Sequence, residues 1–201
     1  MADSIRGQLV IVSGPSGAGK STVVRSLVAN CPLPLELSVS VTTRAPREGE
    51  VQGRDYLFVS PERFQQLRAE KAFLECKEVF GRGDWYGTLR DSVDQGLAAG
   101  KWMLLEIDVQ GAMAVMEQRA DAISFFVHPG SLAELEKRLR GRGTDSQQAI
   151  ARRLEVASEE MQAIPVYRYE IINREIEQTV SEMCQILQQH CNQEGLNARS
   201  A

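Results

Sequence analysis

With 201 residues, 43% of them apolar, the chain is long enough to bury a core in one compact domain and does not require a second. A formal charge of −4 argues against a general nucleic-acid binder, which would carry a net basic face. The stretch Met1-Ala2-Asp3-Ser4-Ile5-Arg6 lacks an apolar signal core, and no apolar run approaches the ~18 residues of a membrane span, so a soluble, cytoplasmic protein is expected. Cys31, Cys76, Cys184 and Cys191 show neither C-x-x-C nor zinc-ligand spacing, so packing thiols are expected, without disulfides or structural metal.

Leu9-Val10-Ile11-Val12 has the length and β-branched content of a buried strand. It leads into Gly14-Pro15-Ser16-Gly17-Ala18-Gly19-Lys20-Ser21, which fits the P-loop pattern G-x-x-x-x-G-K-[ST] at every fixed position. Lys20 to Ala29 follows as a helix with Val23, Val24, Leu27 and Val28 on one face. Strand, glycine loop and helix together make a phosphate cradle: backbone N–H groups and the helix N-terminus face the anion, Lys20 reaches the terminal phosphates, and the Ser21 hydroxyl is placed for a nucleotide-bound Mg²⁺.

Beyond the break at Cys31-Pro32-Leu33-Pro34, the alternation of Leu35, Leu37, Val39 and Val41 predicts one half-buried strand. Thr42 to Glu50 reads as a loop carrying Arg44 and Arg47. Tyr56 to Val59 is a second extended run, and Ser60-Pro61 caps a helix. Leu74 to Lys77 is a short strand with Glu75 pointing away from its apolar face, and Gly81 to Gly87 reads as a glycine-rich connection. Residues 38 to 87 therefore form a β-rich insertion. A helix carrying Leu89, Val93 and Leu97 then stops at Gly100, and Trp102 to Asp108 is an apolar strand closed by Glu106 and Asp108. Those two acids follow the P-loop helix in the order of a doubly wound sheet, so they are candidates for ion or substrate contacts.

Ile123 to Val127 is a further strand, and Ser131 to Glu134 forms a capping box for a helix to Arg140. Gly141-Arg142-Gly143-Thr144 interrupts it before a second helix marked by Ile150, Leu154 and Met161. This arginine-rich pair reads as a hinged lid, because arginines swung over a transferring phosphoryl group stabilise its charge and exclude water. Tyr169 to Asn173 is the last strand, a helix carries Ile176, Val180, Met183 and Leu187, and Asn192 to Ala201 is a polar tail expected to be disordered. His128 and His190 show no partner pattern.

The series Ser38-Val39-Ser40, Thr42-Thr43-Arg44-Ala45-Pro46-Arg47, Gly53-Arg54-Asp55-Tyr56, Tyr86-Gly87-Thr88, Ile107-Asp108-Val109-Gln110-Gly111 and Gly141-Arg142-Gly143-Thr144, added to the P-loop, resembles guanylate kinase from about Gly7 to the C-terminal helix. The resemblance implies phosphoryl transfer from MgATP to GMP, with ATP and Mg²⁺ as cofactors and no nucleic-acid or membrane partner. It implies Arg44, Arg47, Tyr56 and Tyr86 around the GMP phosphate, Ser40, Glu75 and Thr88 facing guanine, Arg142 and Arg153 from the lid, and Asn173 near adenine. Catalytic roles fall to Lys20, Arg44, Arg142 and Arg153, and Glu106 and Asp108 stand with the substrate residues.

The architecture expected is an α/β, P-loop NTPase-type parallel sheet flanked by helices over residues 7–188. Its core spans about 7–37, 100–136 and 155–188, a GMP-binding insertion spans 38–99, a lid spans 137–154, and 189–201 is the polar tail. The family usually has Asp at Glu106, a shorter connection than 81–85 and two acids at Arg174 and Glu175. Scaffold domains that resemble the family but have lost catalysis have a degraded P-loop, whereas Lys20, Ser21 and the glycines are intact here. A kinase of the same fold acting on a sugar phosphate would not need Glu75 with Ser40 and Thr88.

Overall fold

The computed structural model describes residues 7–79, 83–141 and 146–199. In chain order they form β1 (Gln8–Ser13), α1 (Lys20–Asn30), β2 (Leu35–Leu37), β3 (Val41–Thr42), β4 (Leu57–Phe58), α2 (Pro61–Ala69), β5 (Phe73–Val79) and β6 (Asp84–Leu89). There follow α3 (Arg90–Ala98), β7 (Trp102–Glu106), α4 (Val109–Gln118), β8 (Ile123–His128), α5 (Leu132–Gly141), α6 (Gln147–Glu160), a 3₁₀ turn (Met161–Val166), β9 (Tyr169–Ile172) and α7 (Ile176–Arg199).

The central sheet is parallel in the order β2-β7-β1-β8-β9. Its middle strand is apolar on both sides because both sides are covered. Val10 and Val12 pack with Val23, Val24 and Leu27 of α1 and with Met183 and Leu187 of α7. Leu9 and Ile11 pack on the opposite face with Val93 of α3 and with Val109 and Val115 of α4. The loops at the carboxyl ends of these strands carry the P-loop, Asp108 and Asn173, where ligands of doubly wound sheets bind.

The second sheet has the order β4-β3-β6-β5 and its own core of Val41, Phe64 and Phe73, with the Phe64 and Phe73 rings stacked 4.6 Å apart. Here the structure corrects three expectations. The single strand expected from Leu35 to Thr42 is two: Ser38 N still donates to Leu104 O at 2.9 Å, and the chain then crosses to pair Val41 with Gly87 in the other sheet. The period-2 pattern runs through both pieces, so the crossing leaves no trace in it. The expected connection ending at Gly87 is instead largely strand β6, and Leu89, expected on the helix, ends that strand. A Cβ on Gly87 would stand 2.8 Å from the Phe73 ring, so this glycine marks close packing inside a sheet. Last, β7 ends at Glu106, and Asp108 is the N-cap of α4, its side chain accepting from Gly111 N at 2.8 Å.

The helices α5 and α6 pack on each other through Leu135, Leu139, Ile150 and Ala157, as a lid with its own small core would. The hinge residues Arg142, Gly143 and Thr144 lie outside the described residues. The backbone of the expected tail is helical as far as Arg199.

Candidate active site

The P-loop end of the candidate site is built where β1 runs into α1. The turn requires left-handed backbone: Gly14 has φ 136°, and a Cβ there would stand 2.1 Å from Val127 O of the neighbouring strand. Gly19, at the helix N-terminus, has φ 88°, and a Cβ would meet Asn173 Nδ2 at 2.6 Å. Lys20 folds back over the loop and donates to Gly14 O at 2.6 Å and Pro15 O at 3.0 Å. Burial pulls its pKa down, against the carboxylates of Glu106, Glu160 and Asp108, which hold the ammonium charged. Glu160, at the end of α6, is a neighbour that sequence reasoning did not single out; burial raises its pKa and Lys20 opposes the rise.

Val12 pairs with Glu106 in the sheet, which brings the end of β7 beside the P-loop. The Ser21 hydroxyl donates to Glu106 Oε1 at 2.5 Å. Hydroxyl and carboxylate are hard oxygen donors of the kind Mg²⁺ accepts when phosphates and water complete its shell. Among the described residues no cluster of three or more His, Cys, Asp or Glu could hold a metal alone. A hydroxyl and one carboxylate leave most of an Mg²⁺ shell to other oxygens.

Asn173 is buried and tied at both ends: Nδ2 donates to Ala18 O at 2.8 Å, and Oδ1 accepts from Thr179 Oγ1 at 3.2 Å. Arg138 donates to Asn173 O at 2.7 Å from α5. Gly17, Gly19, Thr22, Arg138, Asn173 and Arg174 line a recess beside the P-loop. Arg138 is given no role by the sequence; its contact with Asn173 joins residues 35 positions apart and has no local signal.

A second set of candidate residues lies on one face of the second sheet. Along β6, Trp85 and Leu89 turn into the small core, with Cys76 of β5, so Tyr86 and Thr88 turn the other way. The register pairs Glu75 with Thr88 and Lys77 with Tyr86. Val41 pairs with Gly87 antiparallel, so one further step places Ser40 opposite Thr88. A register shift between Phe73 and Glu75 bulges β5 at Leu74, whose carbonyl accepts from Gln118 Nε2 of α4 at 2.9 Å. The bulge sends Leu74 into the main core and leaves Glu75 at the cleft. There Thr88 Oγ1 donates to Glu75 Oε1 at 2.7 Å. Burial pushes the Glu75 carboxyl up to about 7, helped by Asp108 and opposed by Thr88 and Lys77.

Arg44 is already oriented at the other end of this face. Its guanidinium donates to both carboxylate oxygens of Glu50 at 3.0 and 2.9 Å and to Tyr86 OH at 2.9 Å, and it lies 5.4 Å from the Tyr56 ring centroid. The Glu50 pairing is the main reason its pKa rises. The Tyr56 and Tyr86 rings meet edge to face at 5.8 Å. Arg47 is exposed on the same loop, its backbone N–H donating to Glu50 Oε2 at 2.7 Å. The structure thus gathers Glu75, Tyr86 and Thr88 on the second sheet, with Ser40, Arg44 and Tyr56 at the ends of its strands β3 and β4. Arg153 lies on α6, and Arg142 lies outside the described residues.

A P-loop facing a separate sheet, with a fixed arginine at one end and a buried carboxylate at the other, is a two-substrate arrangement. The guanylate kinase family profile matches residues 6–190. The chain belongs to the guanylate kinase family. It is 58% identical over 182 residues to the guanylate kinase of Rhodopirellula baltica, covering 90% of this chain and 87% of that one. It is 47% identical to that of Shewanella denitrificans, covering 92% and 88%. The crystal structure of guanylate kinase from Anaplasma phagocytophilum superposes with a TM-score of 0.74 at 36% identity, covering 92% of this chain and 87% of that chain. As a guanylate kinase the chain is a phosphotransferase of the nucleoside monophosphate kinase type, and the family's reaction is phosphorylation of GMP by ATP. No helix among the described residues is long and apolar enough to cross a membrane.

Proposed function

We propose that the second sheet, within residues 38–99, holds GMP, that the P-loop and Asn173 hold ATP, and that the 137–154 lid completes the site in the cytoplasm. The observation that carries this reading is the pairing of Glu75 with Thr88 on the same sheet face as the Arg44–Tyr86 contact. A nucleotide laid along that face sets its base at the carboxylate and its phosphate at the guanidinium. Guanine offers N1–H and the 2-amino group side by side, and one ionised carboxylate accepts both. Arg44, Arg47, Tyr56 and Tyr86 then receive the phosphate dianion with charged and neutral donors.

On the donor side, the P-loop amides and Lys20 bind the ATP phosphates, Lys20 exchanging its two carbonyl partners for phosphate oxygens. Ser21 and Glu106 would hold Mg²⁺, which, when bound, offsets charge on the β- and γ-phosphates. Arg142 and Arg153, brought over by the lid, stabilise the charge spread over the transferring group, and the closed lid excludes water. The chemistry asks little more of the protein than alignment and charge, because phosphoryl transfer needs no covalent intermediate here.

The test is an ADP-release assay with GMP, dGMP, AMP, CMP, UMP and ribose phosphates offered separately. Turnover of GMP and dGMP should far exceed that of every other acceptor. Comparable turnover of AMP or of a sugar phosphate would overturn the base assignment.

A further inference from the structure

Lys77 has no part in the roles set out above. It is on the cleft face of β5 two residues from Glu75, paired across the sheet with Tyr86, and so stands between the base end and the phosphate end of the acceptor face. Its Nζ reaches out of the second sheet to Asp108 Oδ2 at 3.1 Å, and both side chains are about one-third exposed, at 36% and 34%. Asp108 belongs to the main domain, where it caps α4. One ion pair therefore spans the cleft between acceptor sheet and core.

The place it spans is crowded with negative charge. A Cβ at Gly111, in the first turn of α4, would stand 3.0 Å from Glu75 Oε2 and 3.5 Å from Asp108 Oδ1, so the two carboxylates converge on one point. The groups acting on Glu75 there are Asp108 from α4, Lys77 from its own strand and the Thr88 hydroxyl from β6. Like charges this close disfavour each other, and a cation bonded to one relieves the other.

We propose that Lys77 is a positioning residue of the acceptor site: by holding Asp108 across the cleft, it leaves the Glu75 carboxylate free to accept the two guanine donors. The role rests on the GMP reading above. It is a role in binding the base, since the ion pair Lys77 makes is with Asp108, beside the Glu75 carboxylate.

The test compares wild type, Lys77→Met and Lys77→Arg in steady-state ADP release with GMP, IMP and AMP, alongside thermal unfolding of each. An ion pair this exposed is worth little by itself, so Lys77→Met should raise KM for GMP by about 3- to 10-fold. The rate at saturating GMP and the KM for ATP should stay within about twofold. IMP, which has one donor fewer for the carboxylate, should lose less than GMP, and Lys77→Arg should restore most of the loss. An unchanged KM for GMP, an equal rise for all three nucleotides, or an Arg variant no better than Met would overturn the proposal. So would a fall in every kinetic parameter together with the unfolding midpoint, which would make the pair a structural brace. A wild type that fails to use GMP would sink this role and the GMP reading together. A wild type that uses it, with an unaltered Lys77→Met, would sink this role alone.

Discussion

The Thr88 hydroxyl donates to Glu75 at 2.7 Å in a site whose burial pushes that carboxyl up to about 7. The hydroxyl and the burial act in opposite directions on one group, and under the base assignment proposed above GMP recognition depends on the balance. Guanine needs the ionised form, so GMP should bind more weakly as pH falls below about 7 and reach a plateau above it. Stability should run the other way. Between the ordinary carboxylate range and about pH 7 the folded chain holds a proton that the unfolded chain lacks, so this group's contribution declines as pH rises through that window. KM for GMP measured from acid to mildly alkaline pH checks the first, and Thr88→Val, which removes a donor to the carboxylate, should move its midpoint upward.

Glu75→Gln should cost GMP on the order of 1–3 kcal/mol of transition-state stabilisation, because an amide offers one acceptor and a competing donor. The wild-type order should be GMP, IMP, AMP, since adenine sets a lone pair against the carboxylate. kcat/KM for the three nucleotides decides it. Equal losses for GMP and AMP would make Glu75 a support for its strand.

Lys20→Met should leave less than roughly a tenth of wild-type turnover while GMP affinity changes little, because the charge lost is the one that follows the transferring group. GMP titration calorimetry beside the rate assay separates the two.

Arg47→Ala should act mainly on GMP binding and Arg142→Ala mainly on the catalytic rate, each by ~10- to 1,000-fold in its own parameter. Small, equal effects on both parameters in both variants would count against separate acceptor-side and donor-side roles.

Arg138→Met should raise KM for ATP with little change for GMP, since Arg138 holds the Asn173 carbonyl at 2.7 Å beside the P-loop recess. One charge-assisted hydrogen bond corresponds to about 1.5–3 kcal/mol, or roughly 10- to 150-fold. A loss falling on GMP instead would detach Arg138 from the donor site.

The P-loop, the apolar strands of the parallel sheet and the helices α5 and α6 were legible because each is a local pattern: a fixed motif, an apolar run, a capping box. The acceptor sheet was legible only in part. Tyr86, Gly87 and Thr88 stand out through the resemblance, yet Tyr86 and Gly87 read locally as part of a connection, because the packing that Gly87 permits against Phe73 depends on residues far away in sequence. Asp108 reads locally as a strand-end acid, because it follows the apolar run of β7 and the largely apolar stretch Val109 to Val115 after it does not mark where the strand stops and the helix starts. Contacts such as Lys77 with Asp108 or Arg138 with Asn173 join elements that only tertiary packing brings together.

The chain leaves its first sheet at Ser38 and returns along α3, and between those points it builds a second core of its own around Phe64 and Phe73. Damage can therefore be local. A substitution that loosens this small aromatic nucleus should spoil the acceptor surface while the nucleotide-triphosphate cradle stays folded, giving a protein that still captures ATP but has nowhere to send its phosphate. The same partition makes the acceptor sheet the part in which base preference can drift without disturbing the engine that drives transfer.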